Sequence, residues 1–298
     1  MATSHTNTDA PEGYESYYVP AQSKWPIVGA VALFLIAMGA GSTVADLFGG
    51  NGPWMLLAGT GLILFMLTGW FKDVIHESMG GMYSSQMDRS FRQGMSWFIF
   101  SEVMFFAAFF GALFYARFIA VPWLGGASNN AMTAEVLWPD FIPGWPLIKT
   151  PDGTETTAMG AWGLPLINTV ILLTSSVTLH FAHVAMEEGK RKRIVQFLGV
   201  TVLLGWIFLF LQGEEYIHAY EELNLRLDSG VYGNTFFLLT GFHGMHVFLG
   251  SVILFIVWLR VLKGHMSPKQ HFAFQAGAWY WHFVDVVWLC LFVFVYIL

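Results

Sequence analysis

A single cysteine, Cys290, stands in a chain of 298 residues. One thiol makes neither a disulfide framework nor a thiolate cluster for zinc or iron–sulfur chemistry. Charge is scarce as well. Lys and Arg number 14 and Asp and Glu 20, so charged residues make up 11% of the chain. Soluble domains carry roughly 25%. Also missing are the HExxH zinc word, the GxxxxGK[ST] phosphate loop and the GxSxG serine elbow, which removes three common catalytic templates. Nothing marks a nucleic-acid surface: the KRKR run at 190–193 adjoins Glu187 and Glu188 at the end of an apolar run, where solvated charge and lipid headgroup contact are the simpler account. The net charge of −6 says little about fold.

What is present is hydrophobic residue, 55% of the chain, arranged in runs of membrane-spanning length. The spans predicted from them cover about 27–48, 53–71, 95–121, 162–184, 194–211, 232–259 and 277–298. The second opens on Pro53, a good first-turn residue. The words WPDFIPGWP and PDGTETT in the long connection mark turns rather than another span. The predicted fold class is all-α, a polytopic integral membrane protein of seven transmembrane helices. Residues 1–24 read as a polar aqueous tail, 25–75 as the first two helices, 76–94 as a cytoplasmic loop and 95–298 as a five-helix bundle. The tail lacks the Arg-rich amphipathic pattern of a transit peptide, and the apolar run behind it is too long for a signal sequence.

Cation placement gives the orientation. With the N-terminus inside, the inner segments hold Lys24, Lys72, Arg89, Arg92, the four cations at 190–193, Arg260, Lys263 and Lys269, eleven of the 14. Arg117, Lys149 and Arg226 fall outside. This bias predicts an inside N-terminus, an outside C-terminus and an odd number of crossings.

Several polar groups lie at membrane depth. Glu102 interrupts WFIFSEVMFFAAFFGALFY, and His180, His183, His243, His246, His282 and Asp285 occur in the later runs. His180/His183, His243/His246 and His282/Asp285 are each three apart and share a helical face. Hydrocarbon tolerates such groups only on a protein-facing side, so they form a candidate polar seam. Three readings are open on the residues alone: metal or haem ligation, a proton or solute path through Glu102 and the histidines, and polar groups that fix helix packing. An intramembrane carboxyl is expected to carry a proton for much of the time, or to bond a polar group of the last four runs, with His243 and His246 as candidates.

The runs also contain SEVMFFAAFFGALFY, WGLPLINTVILLTSSVTLHFAH, LLGWIFLFLQGEEY, YGNTFFLLTGFHGMHVFLGS and HFAFQAGAWYWHFVDVVWL, in that order. In these words the chain resembles subunit III of the haem–copper cytochrome c oxidases over about residues 25–298, in the seven-helix rather than the five-helix form of many quinol oxidases. The resemblance implies a subunit without cofactors of its own, because haem a, haem a3 and copper belong to subunits I and II, and so disposes of the haem reading. It implies subunit I as main contact, subunit II as a further partner, cytochrome c as substrate of the complex, and bound phospholipids. It further implies a V of two plus five helices whose cleft holds lipid, a role near a proton-uptake route, and a carbodiimide-reactive carboxyl at Glu102. Candidate lipid headgroup contacts are Lys72, Arg92, Lys190 and Arg226, with Lys72 standing where many members carry an arginine. The expected location is the plasma (inner) membrane of a bacterium. The alternatives are a stand-alone proton channel or transporter, and subunit III of a quinol oxidase.

Overall fold

The computed structural model describes residues 18–19, 22–45, 49–149, 155–268 and 270–298. Among them, seven helices are long and apolar enough to cross a membrane. They are α1 (Trp25–Ala45), α2 (Gly52–Met79), α3 (Ser85–Leu124), α5 (Leu164–Glu187), α6 (Arg191–Glu221), α7 (Gly230–Leu262) and α8 (Phe272–Ile297). A short helix, α4 (Ala131–Leu137), sits in the connection between α3 and α5. At about 1.5 Å per residue, α1 with its 21 residues spans about 31 Å, close to the hydrocarbon thickness of a bilayer. The all-α, seven-span reading therefore holds. The tail residues 1–17, 20 and 21, the expected end of the first span at 46–48, and Lys269 lie outside the described residues.

Helix ends differ from those the apolar runs suggested. The expected loop at 76–94 is helical except for residues 80–84, because α2 continues to Met79 and α3 starts at Ser85. Charged and polar residues continue a helix well once it has left the hydrocarbon. Gly81, at φ 67°, supplies the left-handed turn between them. The Ser84 hydroxyl then accepts the Met87 N–H at 3.3 Å, and Asp88 lies in the first turn, so α3 opens with a side-chain cap and a favourable charge. Similarly α6 runs ten residues past the expected 211, to Glu221. In α3 the segment Ala116–Ala120 is π-helical. Pro122 follows it and has no N–H to offer the preceding turn, which loosens the ladder there.

The chain divides into two compact units, residues 1–91 and 92–298. In the first, α1 packs along α2, and small residues set the approach. A Cβ on Gly59 would lie 2.9 Å from the Ala32 carbonyl oxygen and the Ile36 nitrogen, so only glycine admits the neighbouring backbone. Trp25 Nε1 donates to Asp73 Oδ2 at 2.7 Å and ties the start of α1 to α2. Glu77 accepts from the hydroxyls of Tyr18 at 3.2 Å and Tyr83 at 2.8 Å. Burial first, and then this carboxylate, raises the Tyr83 phenol above its ordinary pKa.

In the second unit α5, α6, α7 and α8 form a close bundle, with α6 against α5 and α7, and α8 against α5 and α7. Its centre holds Trp281, Trp288, Phe208, Phe236 and Phe274. The hydroxyl residues of α5 are hydrogen-bonded into this core: Trp281 Nε1 donates to Ser175 Oγ and Trp288 Nε1 to Thr169 Oγ1, both at 2.9 Å. Thr178 and Thr201 hydroxyls meet at 2.8 Å between α5 and α6. Each bond lets an indole or hydroxyl sit in an apolar interior without an unmet donor.

Candidate functional site

Within the second unit α3 meets the bundle through one face. Phe98, Glu102, Phe105, Phe106, Phe109 and Phe110 recur at helical spacing, which places the carboxyl in the middle of a phenylalanine stripe. Phe105 and Phe109 pack on Phe242 at 5.1 Å, Phe106 on Phe283 at 6.1 Å and Phe98 on Tyr280 at 6.1 Å between ring centroids.

Glu102 Oε2 lies 2.9 Å from His246 Nε2, with the carboxyl side chain 22% exposed and the imidazole 6%. The other ring nitrogen, Nδ1, lies 2.6 Å from the Phe242 carbonyl. A carbonyl can only accept, so Nδ1 carries a proton. Nε2 and Oε2 therefore share one further proton, as imidazolium with carboxylate or as imidazole with carboxylic acid. In both forms the pair is neutral as a whole, so neither member stands as an uncompensated charge at this depth. Phe106 lies edge-on to the imidazole at 5.0 Å, and Tyr280 stacks on it at 6.2 Å and 19°. The pair is thus self-satisfied inside an aromatic shell.

The other candidate seam residues are dispersed. His243 is fully buried, donates from Nε2 to the Val284 carbonyl at 3.2 Å, and packs against Phe208 and Trp288. His282 Nδ1 meets Ser176 Oγ at 2.6 Å and lies 4.0 Å from Asp285 Oδ2. His183 lies 3.8 Å from Glu187, with its ring 6.1 Å from that of His271. His180 is exposed beside Phe181. The structure joins Glu102 to His246 and His282 to Ser176 and Asp285. Among the described residues, no three His, Cys, Asp or Glu side chains are grouped to hold a metal ion.

The four candidate headgroup cations also separate. Arg92 donates to Gln275 Oε1 at 2.5 Å and covers the Phe272 ring at 5.1 Å. Lys190 pairs with Glu188 at 2.8 Å, and this bond holds the Glu188 carboxyl below its ordinary pKa. Lys72 and Arg226 are exposed. Sequence reasoning passed over a second buried carboxyl, Glu215, whose Oε1 accepts the Tyr296 hydroxyl at 2.6 Å. Its signal was Gln212 and Glu215 three apart in LQGEEY, on one helical face just past the expected end of the span.

A family model described as cytochrome c oxidase subunit III matches residues 15–298. The chain is 39% identical over 282 residues to cytochrome c oxidase subunit 3 of Gadus morhua, covering 94% of this chain and 96% of that protein. It shares the same identity and coverage with the Latimeria chalumnae protein of that name, and 38% identity with that of Tetraodon nigroviridis. These relatives are animal proteins, and they overturn the expectation of a bacterial plasma membrane. Fold, motif order and this near-complete match agree, and the chain belongs to the cytochrome c oxidase subunit III family.

Proposed function

We propose that this chain is a non-redox core subunit of the proton-pumping terminal oxidase that passes electrons from cytochrome c to oxygen. On this reading haem a, haem a3 and copper are held by subunits I and II, and the chain packs mainly against subunit I. It binds phospholipid and supports proton uptake. The observation that carries the reading is the Glu102–His246 pair at 2.9 Å. Its members satisfy each other inside a phenylalanine and tyrosine shell, an arrangement suited to fixing helices and buffering one proton rather than to turning over a substrate. The cation bias supports an inside N-terminus and an outside C-terminus, and the family resemblance supports a V-shaped two-plus-five grouping with lipid in its cleft. Lys72, exposed in the last two turns of α2, and Arg226, exposed in the connection between α6 and α7, are the first-choice headgroup contacts, followed by Arg92 and Lys190; on the cytoplasmic side each cation attracts an anionic surface by about 1 kcal/mol.

The test is the oxidase prepared with and without this chain, assayed from about pH 6 to 9. Haem and copper content per complex should be unchanged. Turnover of the depleted enzyme should fall more steeply as pH rises and protons become scarce, and its working lifetime should shorten. Haem or copper that leaves with this chain would overturn the non-redox reading. Identical pH profiles and lifetimes would reduce the chain to an assembly partner.

A further inference from the structure

Away from the Glu102 pair, a second set of polar side chains is sealed into the bundle. Asn168 on α5, Gln212 and Glu215 on α6 and Tyr296 near the end of α8 are between 0% and 7% exposed. The Tyr296 hydroxyl donates to Glu215 Oε1 at 2.6 Å, and Gln212 lies beside the same hydroxyl.

Helix register brings Asn168 to them. The Thr178–Thr201 hydrogen bond fixes the antiparallel alignment of α5 and α6. Ten residues further along each helix, Asn168 stands level with residue 211, next to Gln212. The faces agree too. Asn168 lies two turns from Ser175 and Gln212 three turns from Thr201, and Thr201 Oγ1 approaches the Ser175 carbonyl at 3.5 Å. Both amides therefore point into one seam. Finally, α5 packs against Phe292–Ile297, the π-helical end of α8 that carries Tyr296; such segments re-aim side chains and recur at functional sites.

Five atoms in this seam, both polar atoms of Asn168, both of Gln212 and Oε2 of Glu215, are closed off from the surface and complete no hydrogen bond of normal geometry within the protein. Buried polar atoms are rarely left so, because their desolvation goes uncompensated. The chemistry of the set selects what would satisfy it. The amides offer donors as well as acceptors, whereas a cation would use only the oxygens and an apolar molecule neither. Water supplies both, and a buried water makes about three hydrogen bonds.

We propose that Asn168, Gln212, Glu215 and Tyr296 enclose an internal hydration site that holds about two water molecules. Radiolytic hydroxyl-radical footprinting of the protein in its native membrane assembly tests this, since radicals formed from bound water oxidise the side chains beside it. Tyr232 is the control, because its hydroxyl already accepts the Met159 N–H at 3.2 Å within the protein; it is 3% exposed against 7% for Tyr296. Tyr296 should be labelled several-fold faster than Tyr232, and the Asn168→Leu, Gln212→Leu double variant should bring the two rates together. Equal rates in the unaltered protein would overturn the proposal without any variant. A fast Tyr296 rate that survives the double substitution would overturn it as well, by placing the reactive water elsewhere.

Discussion

Replacing either member of the Glu102–His246 pair should have unequal consequences, and the inequality follows from proton placement. His246 commits its Nδ1 proton to the Phe242 carbonyl at 2.6 Å, so neutral imidazole presents Nε2 as an acceptor. In Glu102→Gln an amide N–H takes over the contact, and the expected loss is under about 1 kcal/mol, that of exchanging one buried hydrogen bond for another. His246→Leu instead leaves the carboxyl among phenylalanines. The unmet group costs about 1–3 kcal/mol, and the lost edge-on and stacked contacts to Phe106 and Tyr280 add about 0.5–1.5 kcal/mol. Because the Glu102 side chain is 22% exposed, water softens the first of these figures toward its lower end. The expected total is about 1.5–3 kcal/mol.

The assay is a thermal melt of the detergent-purified assembly carrying each variant. The conversion is roughly 2–4 °C per kcal/mol for a unit of this size. Glu102→Gln should shift the midpoint by less than about 4 °C and His246→Leu by about 3–12 °C. A double-mutant cycle of Glu102→Leu with His246→Leu should show a coupling of about 1–3 kcal/mol, the pair removed together costing less than the two single losses combined. If Glu102→Gln proved as damaging as His246→Leu, or if the two losses simply added, the shared-proton argument would be refuted.

Gly59→Leu should force α1 away from α2, because a Cβ there meets the Ile36 side chain at 2.7 Å and two backbone atoms at 2.9 Å that cannot rotate aside; a cost of about 1–3 kcal/mol or more is expected, read as faster limited proteolysis of residues 1–91. Lys72→Ala and Arg226→Ala should lower the phospholipid retained by the purified protein in mass spectrometry, while Lys190→Ala, whose ammonium is already paired with Glu188 at 2.8 Å, should lower it less. Equal retention in all three would leave those cations a purely topological role. The same ion pair makes a pH prediction. The folded-state pKa of Glu188 is depressed by Lys190, so its stabilisation is present above the ordinary carboxylate pKa and is lost as pH falls through the depressed value. Lys190→Met should raise the Glu188 titration midpoint toward the ordinary carboxylate value in an isotope-edited spectrum.

The spans were legible because membrane length is written in apolar residues, whereas their ends were not, because a helix does not stop where hydrocarbon does. HESM at the close of α2 and SQMDRSFRQ at the opening of α3 are poor lipid but adequate helix, and Ser84 caps the latter. The same oversight concealed Glu215: a span closed at 211 leaves Gln212 and Glu215 in solvent, while the actual α6 carries them inside the bundle. Glu102 announced itself as an expensive residue, and its partner was narrowed to two histidines. Choosing between them needed the position of α3, since His243 and His246 are one helical turn apart and either could have pointed toward it. The structure turns His243 to the Val284 carbonyl and leaves His246 for the carboxyl.

Helices in lipid gain nothing from hydrophobicity when they meet, since a lipid chain is as apolar as a leucine. Association must come from close packing or from polar bonds, and this chain divides those means among its helices. Between α1 and α2 the backbone itself approaches at Gly59. In the α5–α8 bundle, indole and hydroxyl groups bond in the core, as in Trp281–Ser175 and Trp288–Thr169. The remaining helix, α3, makes one such bond near its start, from Arg92 to Gln275 on α8; farther along, its stripe facing α7 and α8 is phenylalanine, whose bulk supplies area and edge-on contacts. Such contacts are tolerant of small slides and rotations, because one ring edge serves nearly as well as the next. Glu102 is the polar side chain in that stripe, and its bond to His246 is directional. The carboxyl that looked misplaced in a lipid-facing run therefore sets where α3 sits along α7, at little electrostatic cost, because the partner that fixes its position also shares its proton.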